Sequence, residues 1–352
     1  ALDLLVVVLR VANWTYAPRS FSRGLGVEQV LQVAFSNGGN DIMHDTNLTL
    51  VKANGITVSP KTAHIGDLGP GQPILINFSV LVPEDVPLGP CDLLFQVTYL
   101  DFLGRTHSED LTAQVQVTKI GVNISLTLVP HEARLLDDVE VLVELSDELG
   151  RPLADMAVEL LLDRSPLADL RTNSSGMAEH SFRASRDLGR GIHTVEAVFQ
   201  GTSKYEAAST SALLLLRLRR TTLNVTYPRE AEVGSTVEIR AVLYDEDGVP
   251  VAGALLTLYV LGEKGWSPVE DGVTGQDGSF TFTYKAEKAG EVSLKVLYVG
   301  DDVHEACETT FTINFTGGLL SGSTIVWVAS GVTAASLAAI AAIYVFKRRK
   351  AQ

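Results

Sequence analysis

Seven asparagines of this 352-residue chain begin Asn-x-Ser/Thr triplets, the sequence at which N-linked glycans are attached. The chain has ten asparagines, and chance would place only about one or two of them in such triplets. The alternative is that they are polar strand residues with a coincidental spacing. We expect them to be glycan acceptors: Asn13, Asn47, Asn77, Asn123, Asn173, Asn224 and Asn314.

The position of these asparagines within apolar and polar alternation predicts that their side chains face solvent. In residues 121–128 (GVNISLTL), apolar residues alternate with Asn123 and two further polar residues. Period-two alternation places one set in a core and the other on the solvated face of a strand. Asn77, Asn224 and Asn314 lie between apolar neighbours in the same way. Glycans on such faces would also cover exposed strand edges.

Motifs for enzymatic chemistry are missing from the sequence. It contains no G-x-S-x-G, Walker A, H-E-x-x-H, paired C-x-x-C or G-x-G-x-x-G pattern.

The acidic turns 245–248 and 300–302 offer oxygens that Ca²⁺ favours, but Asp and Gly also occur in hairpin turns for backbone reasons. Single, scattered histidines are typical of surface or turn positions. We therefore predict no enzyme, no metal site and no cofactor. The histidines are His44, His64, His107, His131, His180, His193 and His304.

The net charge of −14 includes a basic cluster at residues 347–350. Without it, 24 basic residues face 42 acidic ones, and such a surface repels phosphates, which excludes a nucleic-acid partner. A second basic group, at residues 217–220, either meets an acidic neighbour or is a solvated linker. The two groups are Lys347, Arg348, Arg349 and Lys350, and Arg217, Arg219 and Arg220.

Residues 324–346 predict a transmembrane helix. These 23 residues carry no charge and no proline, and at 1.5 Å per residue they span a hydrocarbon core of about 30 Å. Trp327 and Tyr344 lie near the two ends, where aromatic rings favour the headgroup level, and the four cations that follow indicate a cytoplasmic end. A buried soluble helix is the competing interpretation, although it is rarely apolar on every face. We expect the preceding residues to lie outside the cell and the lipid bilayer to be a partner.

Small residues at four-residue spacing in this segment permit close approach of two helices and hence self-association, although an alanine-rich span would show them too. They are Ser330, Gly331, Ala334, Ala335, Ala338, Ala339 and Ala342.

Residue 1 is Ala, from which we expect a mature chain whose signal peptide has been removed.

Cys91 and Cys307 fall in different predicted domains, so each is either a buried apolar residue or half of an interchain bridge.

Two segments of about 100 residues repeat each other. Gly150, Pro152, Gly176 and Gly201 recur as Gly248, Pro250, Gly278 and Gly300, at offsets of 98, 98, 102 and 99 residues. Short alternating strands separated by Gly, Asp and Asn turns predict an immunoglobulin-like sandwich for each. Both repeats resemble bacterial and archaeal Ig-like and transthyretin-like surface modules, with a G-x-P-[LV]-A hairpin and a V-x-[YF]-x-G close. That resemblance implies a fold and no chemistry.

Residues 1–118 differ from the repeats, and their opening apolar run, 2–11, predicts a strand. Positions 35–38, 68–83, 87–89 and 97–99 resemble the S-layer-related sandwich module of archaeal surface proteins. We predict an all-β chain of three tandem immunoglobulin-like β-sandwich domains followed by a single transmembrane helix. The segments are 1–118, 119–219, 220–316, a flexible linker 317–323, the helix 324–346 and a cytoplasmic tail 347–352.

Two functional hypotheses remain from the sequence. The first is a glycosylated cell-surface structural or adhesion protein, a membrane-anchored stalk that belongs to or anchors an S-layer or surface filament. The second is an extracytoplasmic accessory subunit of a membrane complex such as a transporter, secretion or respiratory assembly. Both expect other surface or membrane proteins as partners, and a surface hydrolase is disfavoured because no acid, base or metal set is found.

Overall fold

The computed structural model describes residues 7–317 and 327–330. Within these residues, one turn of 3₁₀ helix at Arg186–Leu188 is the single helical element, and all other regular elements are β-strands. The predicted all-β class is therefore confirmed for the described part of the chain.

The first sandwich packs a four-stranded sheet, in the order β1-β3-β7-β5, against a five-stranded sheet, in the order β2-β9-β8-β4-β6. Alternate residues of β8 from Cys91 to Tyr99 are buried. Among them is Phe95, whose ring centroid lies 5.2 Å from that of Phe78 in the opposite sheet. The strands are β1 (Val11–Ala17), β2 (Ser20–Ser22), β3 (Gln29–Asn37), β4 (Met43–Lys52), β5 (Thr57–Ser59), β6 (Thr62–Leu68), β7 (Pro73–Leu81), β8 (Gly89–Leu100) and β9 (Thr106–Thr118).

The second sandwich has a three-stranded sheet, β10-β12-β15, and a five-stranded sheet, β11-β17-β16-β13-β14. Val139, Val141, Val143 and Leu145 alternate along β12 and are all buried, each contributing about 1.5–3 kcal/mol of burial free energy. The strands are β10 (Val122–Val129), β11 (Glu132–Arg134), β12 (Asp138–Asp147), β13 (Ala157–Leu162), β14 (Ser165–Arg171), β15 (Met177–Arg183), β16 (Gly191–Phe199) and β17 (Ala208–Arg217).

The third sandwich repeats this scheme with the sheets β23-β20-β18-β26 and β19-β25-β24-β21-β22. Its core joins both sheets through residues such as Ile239 of β20 and Leu258 of β21. The strands are β18 (Thr221–Pro228), β19 (Glu230–Glu232), β20 (Thr236–Asp245), β21 (Leu255–Gly262), β22 (Gly265–Val273), β23 (Ser279–Lys285), β24 (Gly290–Tyr298), β25 (Cys307–Thr316) and β26 (Trp327–Ser330).

All three sandwiches share one topological feature of immunoglobulin-like folds. A three-residue strand follows the first strand and pairs in parallel with the strand that comes last in the five-stranded sheet of the same sandwich: β2 with β9, β11 with β17, and β19 with β25. The first strand of each sandwich lies in the opposite sheet, as in immunoglobulin domains. The first sandwich therefore has the same scheme as the two repeats, although its sequence differs from theirs.

By compactness the described chain divides into two units. The first runs up to Thr127 and includes Leu142–His180 and Thr194–Ala212. The second consists of Leu128–Val141, Ser181–His193 and the residues from Leu213 on. The first unit contains the first sandwich and its core, and the second contains the third sandwich and its core.

Two segments differ from the sequence prediction. Residues 7–10 of the predicted opening strand 2–11 are not in a strand, and β1 begins only at Val11. The carbonyls of Val8 and Arg10 accept main-chain hydrogen bonds from residues 40 and 38. Of the predicted membrane helix 324–346, only 327–330 are described, and these form β26, which pairs antiparallel with β18. The rest of that segment lies outside the described residues.

Candidate functional site

The sequon asparagines lie on strands, with the exception of Asn173, which lies in the turn 172–176. Asn13, Asn77, Asn123 and Asn173 are exposed, whereas Asn47, Asn224 and Asn314 are partly buried. The neighbours of Asn224 and Asn314 on either side are buried, in keeping with the predicted alternation.

Three of these asparagines occupy equivalent positions. Asn13, Asn123 and Asn224 each lie on the first strand of their sandwich. Strands β1 and β10 are edge strands, and β18 has only β26 beyond it, along Tyr227, Pro228 and two preceding residues. The sequons Asn47, Asn77 and Asn314 lie instead on strands with a neighbour on both sides.

The amide nitrogens that would accept a glycan differ in their contacts. The Nδ2 of Asn13 donates to Ser36 Oγ at 2.9 Å, that of Asn47 to the Asp45 carbonyl at 2.8 Å, and that of Asn123 to the Asp147 carbonyl at 3.2 Å. Asn173 accepts through its Oδ1 from the main-chain amides of Ser175 and Met177, at 2.8 and 3.1 Å.

A hairpin turn built on one aspartate recurs in every sandwich, at residues 101–105, 147–151 and 245–249. In each, Oδ1 accepts the main-chain amides two and four residues later, at 2.8–3.0 Å. Asp101, Asp147 and Asp245 are buried. Desolvation alone would raise the pKa of Asp147, but the main-chain amide and side chain of Arg151 more than offset it, and the pKa lies below its ordinary value. At Asp101 desolvation likewise acts to raise the pKa, but hydrogen bonds from Arg105, His107 and the Leu103 amide lower it below its ordinary value.

The joint between the first and second sandwiches depends on the second of these hairpins. Arg151 donates from Nε to Asp147 Oδ2 at 2.6 Å and from Nη2 to the Leu25 carbonyl in the loop after β2 at 2.9 Å. Arg23 of that loop donates to the Ser203 carbonyl at 3.0 Å. The linker residue Ile120, fully buried, exchanges two main-chain hydrogen bonds with the loop 204–206.

The joint between the second and third sandwiches also connects a hairpin aspartate, an arginine and a loop carbonyl, but here the arginine comes from the linker. Arg219 of the linker donates from Nη1 to Asp247 Oδ2 at 2.6 Å and from Nε to the Leu135 carbonyl, in the loop after β11, at 3.1 Å. It also pairs with Asp137. Like Ile120, Arg219 makes two main-chain hydrogen bonds with the following sandwich, to Val303 and from residue 305.

Further ion pairs surround Arg219. Arg134 pairs with Asp137 and with Asp247, both at 2.7 Å, and Arg217 makes a two-pronged contact with Glu246 at 2.9 and 3.1 Å. Hydrogen bonds from Arg134 and Arg219 lower the pKa of Asp247, and the bond to Asp137 raises the pKa of Arg134. Arg217 and Arg219 of the basic group thus meet acidic residues of their own chain, one of the two alternatives that the sequence left open, whereas the Arg220 side chain is exposed.

The acidic turns are engaged with donors of the chain itself. Asp245 and Asp247 serve the joint, and Asp301 accepts the main-chain amides of Val303 and His304, both at 2.7 Å. In the described residues no group of three His, Cys, Asp or Glu side chains is arranged to hold a metal ion.

Several histidines have an acidic partner that the sequence did not indicate. His44 contacts Asp67 at 3.0 Å, and His107 contacts Asp101 at 3.1 Å.

The cysteines lie as free thiols in separate cores. Burial raises the pKa of Cys91, and raises that of Cys307 to about 11.

Over residues 7–317 and 327–330 there is no helix of a length and apolarity that could cross a membrane. Ser330 lies in β26. The other predicted helix-packing residues, Gly331, Ala334, Ala335, Ala338, Ala339 and Ala342, and the predicted basic tail, Lys347, Arg348, Arg349 and Lys350, lie outside the described residues.

Comparison with known proteins gives fold-level similarity alone. No family model and no curated protein matches the chain. Among solved structures it is similar to the adhesin InvE of Yersinia pseudotuberculosis, with 15% identity, 54% of this chain and 58% of that chain covered, and a TM-score of 0.28. It is also similar to a tetra-tandem repeat of a large adhesion protein, with 14% identity, 88% of this chain and 74% of that chain covered, and a TM-score of 0.31. A third similar structure is that of the Escherichia coli adhesin FdeC, with 15% identity, 88% of this chain and 99% of that chain covered, and a TM-score of 0.28. Identity and TM-score are too low for these likenesses to support an argument about function.

Proposed function

We propose that this chain is a glycosylated cell-surface structural or adhesion protein that holds three sandwiches outside the cell on a carboxyl-terminal membrane anchor. The observation that carries the proposal is the construction of the two joints. Each linker has three residues, 119–121 and 218–220, and its middle residue is hydrogen-bonded into the next sandwich. Such joints suit a spacer that transmits position and force, because they restrict bending between neighbouring domains.

The anchor rests on the sequence of residues 324–346 and the four cations after it. It requires residues 327–330 to leave β18 and become helical, since a residue cannot belong to both elements. The seven sequons then lie on the extracellular side, where N-glycans are found. The resemblance of residues 1–118 to S-layer-related modules supports membership of an archaeal S-layer or surface filament.

External protease on intact cells tests this topology. We expect the sandwiches to be cleaved without lysis, and mass spectrometry to find hexose-containing adducts on the sequon asparagines. If the sandwiches survive in intact cells and are cut only after lysis, the proposal is wrong. Unmodified asparagines at all seven sites would remove the glycoprotein part of it.

The second candidate is an accessory subunit of a membrane complex, favoured by the small residues at four-residue spacing from Ser330 to Ala342. Native mass measurement after detergent extraction separates the two functions. Partners of fixed stoichiometry that contain further membrane helices favour the subunit. A lattice, a filament or the chain alone favours the structural protein.

A further inference from the structure

Three of the ten asparagines lie outside the sequons, and two of these three precede a glycine. They are Asn37, which precedes Gly38, and Asn54, which precedes Gly55. In such a dipeptide the glycine nitrogen is open to react with the side-chain amide carbon of the asparagine, because glycine has no Cβ to shield it. In a folded protein the reaction depends on how firmly the amide and the nitrogen are held.

The Asn37 side chain is held on all sides inside the first sandwich. It is fully buried, and its Nδ2 donates to two main-chain carbonyls, both at 2.8 Å. Its Oδ1 accepts a main-chain amide at 2.8 Å. The Gly38 nitrogen is engaged as well, since it donates to the Arg10 carbonyl at 2.8 Å. Reaction at this site would require all four hydrogen bonds to break.

The Asn54 side chain lies in the exposed turn 53–56 between β4 and β5 and has fewer contacts. Its Nδ2 donates to the Asp92 carbonyl at 2.9 Å. Within the part of the chain that the structure describes, its Oδ1 and the Gly55 nitrogen make no hydrogen bond. Reaction at this site would therefore break one side-chain hydrogen bond.

The backbone of this turn explains why the dipeptide occurs there. Asn54 and Gly55 have φ values of 48° and 91°, and a main-chain hydrogen bond of 3.0 Å joins the first and last residues of the turn. These are the features of a type I′ turn, which favours asparagine followed by glycine. The turn chemistry thus places a reactive pair at the surface.

We infer that Asn54 is a site of spontaneous deamidation, at which the chain acquires a succinimide and then an aspartate or an isoaspartate without an enzyme. The Gly55 nitrogen loses its proton and attacks Asn54 Cγ, and the side-chain nitrogen leaves as ammonia. Water then opens the ring. Attack of water on the side-chain carbonyl gives aspartate, and attack on the main-chain carbonyl gives isoaspartate, whose main chain runs through Cβ and Cγ.

Either product changes the first sandwich. The new carboxylate adds one negative charge to a chain of net charge −14, and it cannot donate to the Asp92 carbonyl of β8. Isoaspartate also lengthens the main chain in the turn that leads from the five-stranded to the four-stranded sheet. Strand β5, which follows the turn, is an edge strand paired with β7 over Thr57–Ser59. We expect β5 to loosen as the molecule ages.

Mass spectrometry of the purified full chain, kept folded at mildly alkaline pH in water enriched in heavy oxygen, tests the inference. We expect the peptide that contains Asn54 to gain one heavy oxygen with time and to separate into aspartate and isoaspartate forms. The Asn37 peptide is the internal control. Its reaction is at least about tenfold slower, since two more side-chain hydrogen bonds must break. In denaturant the two asparagines react at similar rates, because these hydrogen bonds are then absent.

Asn54→Gln provides a second control, because a glutamine at this position closes a larger ring far more slowly. The acidic species that accumulates in the parent chain on isoelectric focusing is then reduced. The inference is overturned if the Asn54 peptide stays unmodified, if it gives aspartate with no isoaspartate, or if folded Asn54 reacts no faster than folded Asn37.

Discussion

At the scale of single residues, Arg219 is the side chain on which the second joint depends. It is 13% exposed and binds Asp137, Asp247 and the Leu135 carbonyl. Arg219→Ala would leave two carboxylates and a carbonyl with one donor fewer, so we expect the free energy of unfolding to fall by about 2 kcal/mol. Denaturant unfolding of the full chain measures it.

The adjacent Arg220 provides the control for that measurement. It is exposed, and Arg220→Ala is expected to change the free energy of unfolding by less than about 0.5 kcal/mol. Equal losses for the two variants would mean that charge at the linker matters and that the contacts of Arg219 do not.

The pH dependence of stability is also set by single carboxylates. The folded-state pKa of Asp147 is lowered, so its stabilisation is complete above the unfolded pKa of about 3.9 and is lost as pH falls through the folded value. Asp147→Asn keeps the acceptor for the two amides but removes the charge facing Arg151. We expect the free energy of unfolding to fall by about 1–2 kcal/mol at neutral pH, with a flatter dependence between about pH 5 and pH 2.

A titration of unfolding against pH for both proteins tests this expectation. Asp302→Asn, at an exposed position whose carboxylate makes no hydrogen bond to the described residues, is the control and keeps the slope of the parent chain. An unchanged slope in Asp147→Asn would show that the hairpin carboxylate is not linked to folding.

At the scale of elements, the turn before β23 requires a glycine for two reasons. Gly278 has φ +72°, and a Cβ there would lie 2.6 Å from the Leu243 carbonyl, whereas Gly248 has φ +77° with open space around it. Gly248→Ala adds backbone strain of about 1–2 kcal/mol. Gly278→Ala adds the clash as well, and we expect a loss of at least about 3 kcal/mol. Thermal unfolding of the two variants separates the backbone strain from the steric clash. Similar losses of stability in the two variants would mean that the Cβ at residue 278 meets no clash.

Most strands and the repeat could be predicted from the sequence, because alternating burial and Gly turns leave a periodic pattern. The joints could not, because Leu25 and Leu135 take part through main-chain carbonyls, which any residue carries. The recurring D-x-x-G turn at Asp101, Asp147 and Asp245 was visible in the sequence, but its role depends on which loop lies opposite. The immunoglobulin-like class of residues 1–118 was predicted, but the order of its strands was not, since strand order is set by long-range pairing.

At the scale of the whole molecule, six of the seven sequons divide into two sets of three that permit a matched experiment, while Asn173 lies in a turn and belongs to neither set. Asn13, Asn123 and Asn224 lie on first strands, at or near a sheet edge, while Asn47, Asn77 and Asn314 lie on interior strands. If glycans cover the edges, replacing the first set by Gln promotes self-association of the full chain. Replacing the second set removes as many glycans and does not. Sedimentation velocity in detergent compares them, and identical behaviour of the two triple variants would contradict edge protection.

The recurrence of a sequon on the first strand of each sandwich, at Asn13, Asn123 and Asn224, has a consequence for crowding. Molecules packed side by side at high density can anneal sheet to sheet into fibrils wherever bare main-chain groups of a strand edge meet. A sugar chain at each of these three sites would cover the first strand of its own sandwich. Any ordered array of this protein would then make its lateral contacts through other strands of each sandwich, which limits the ways in which the array can be tiled.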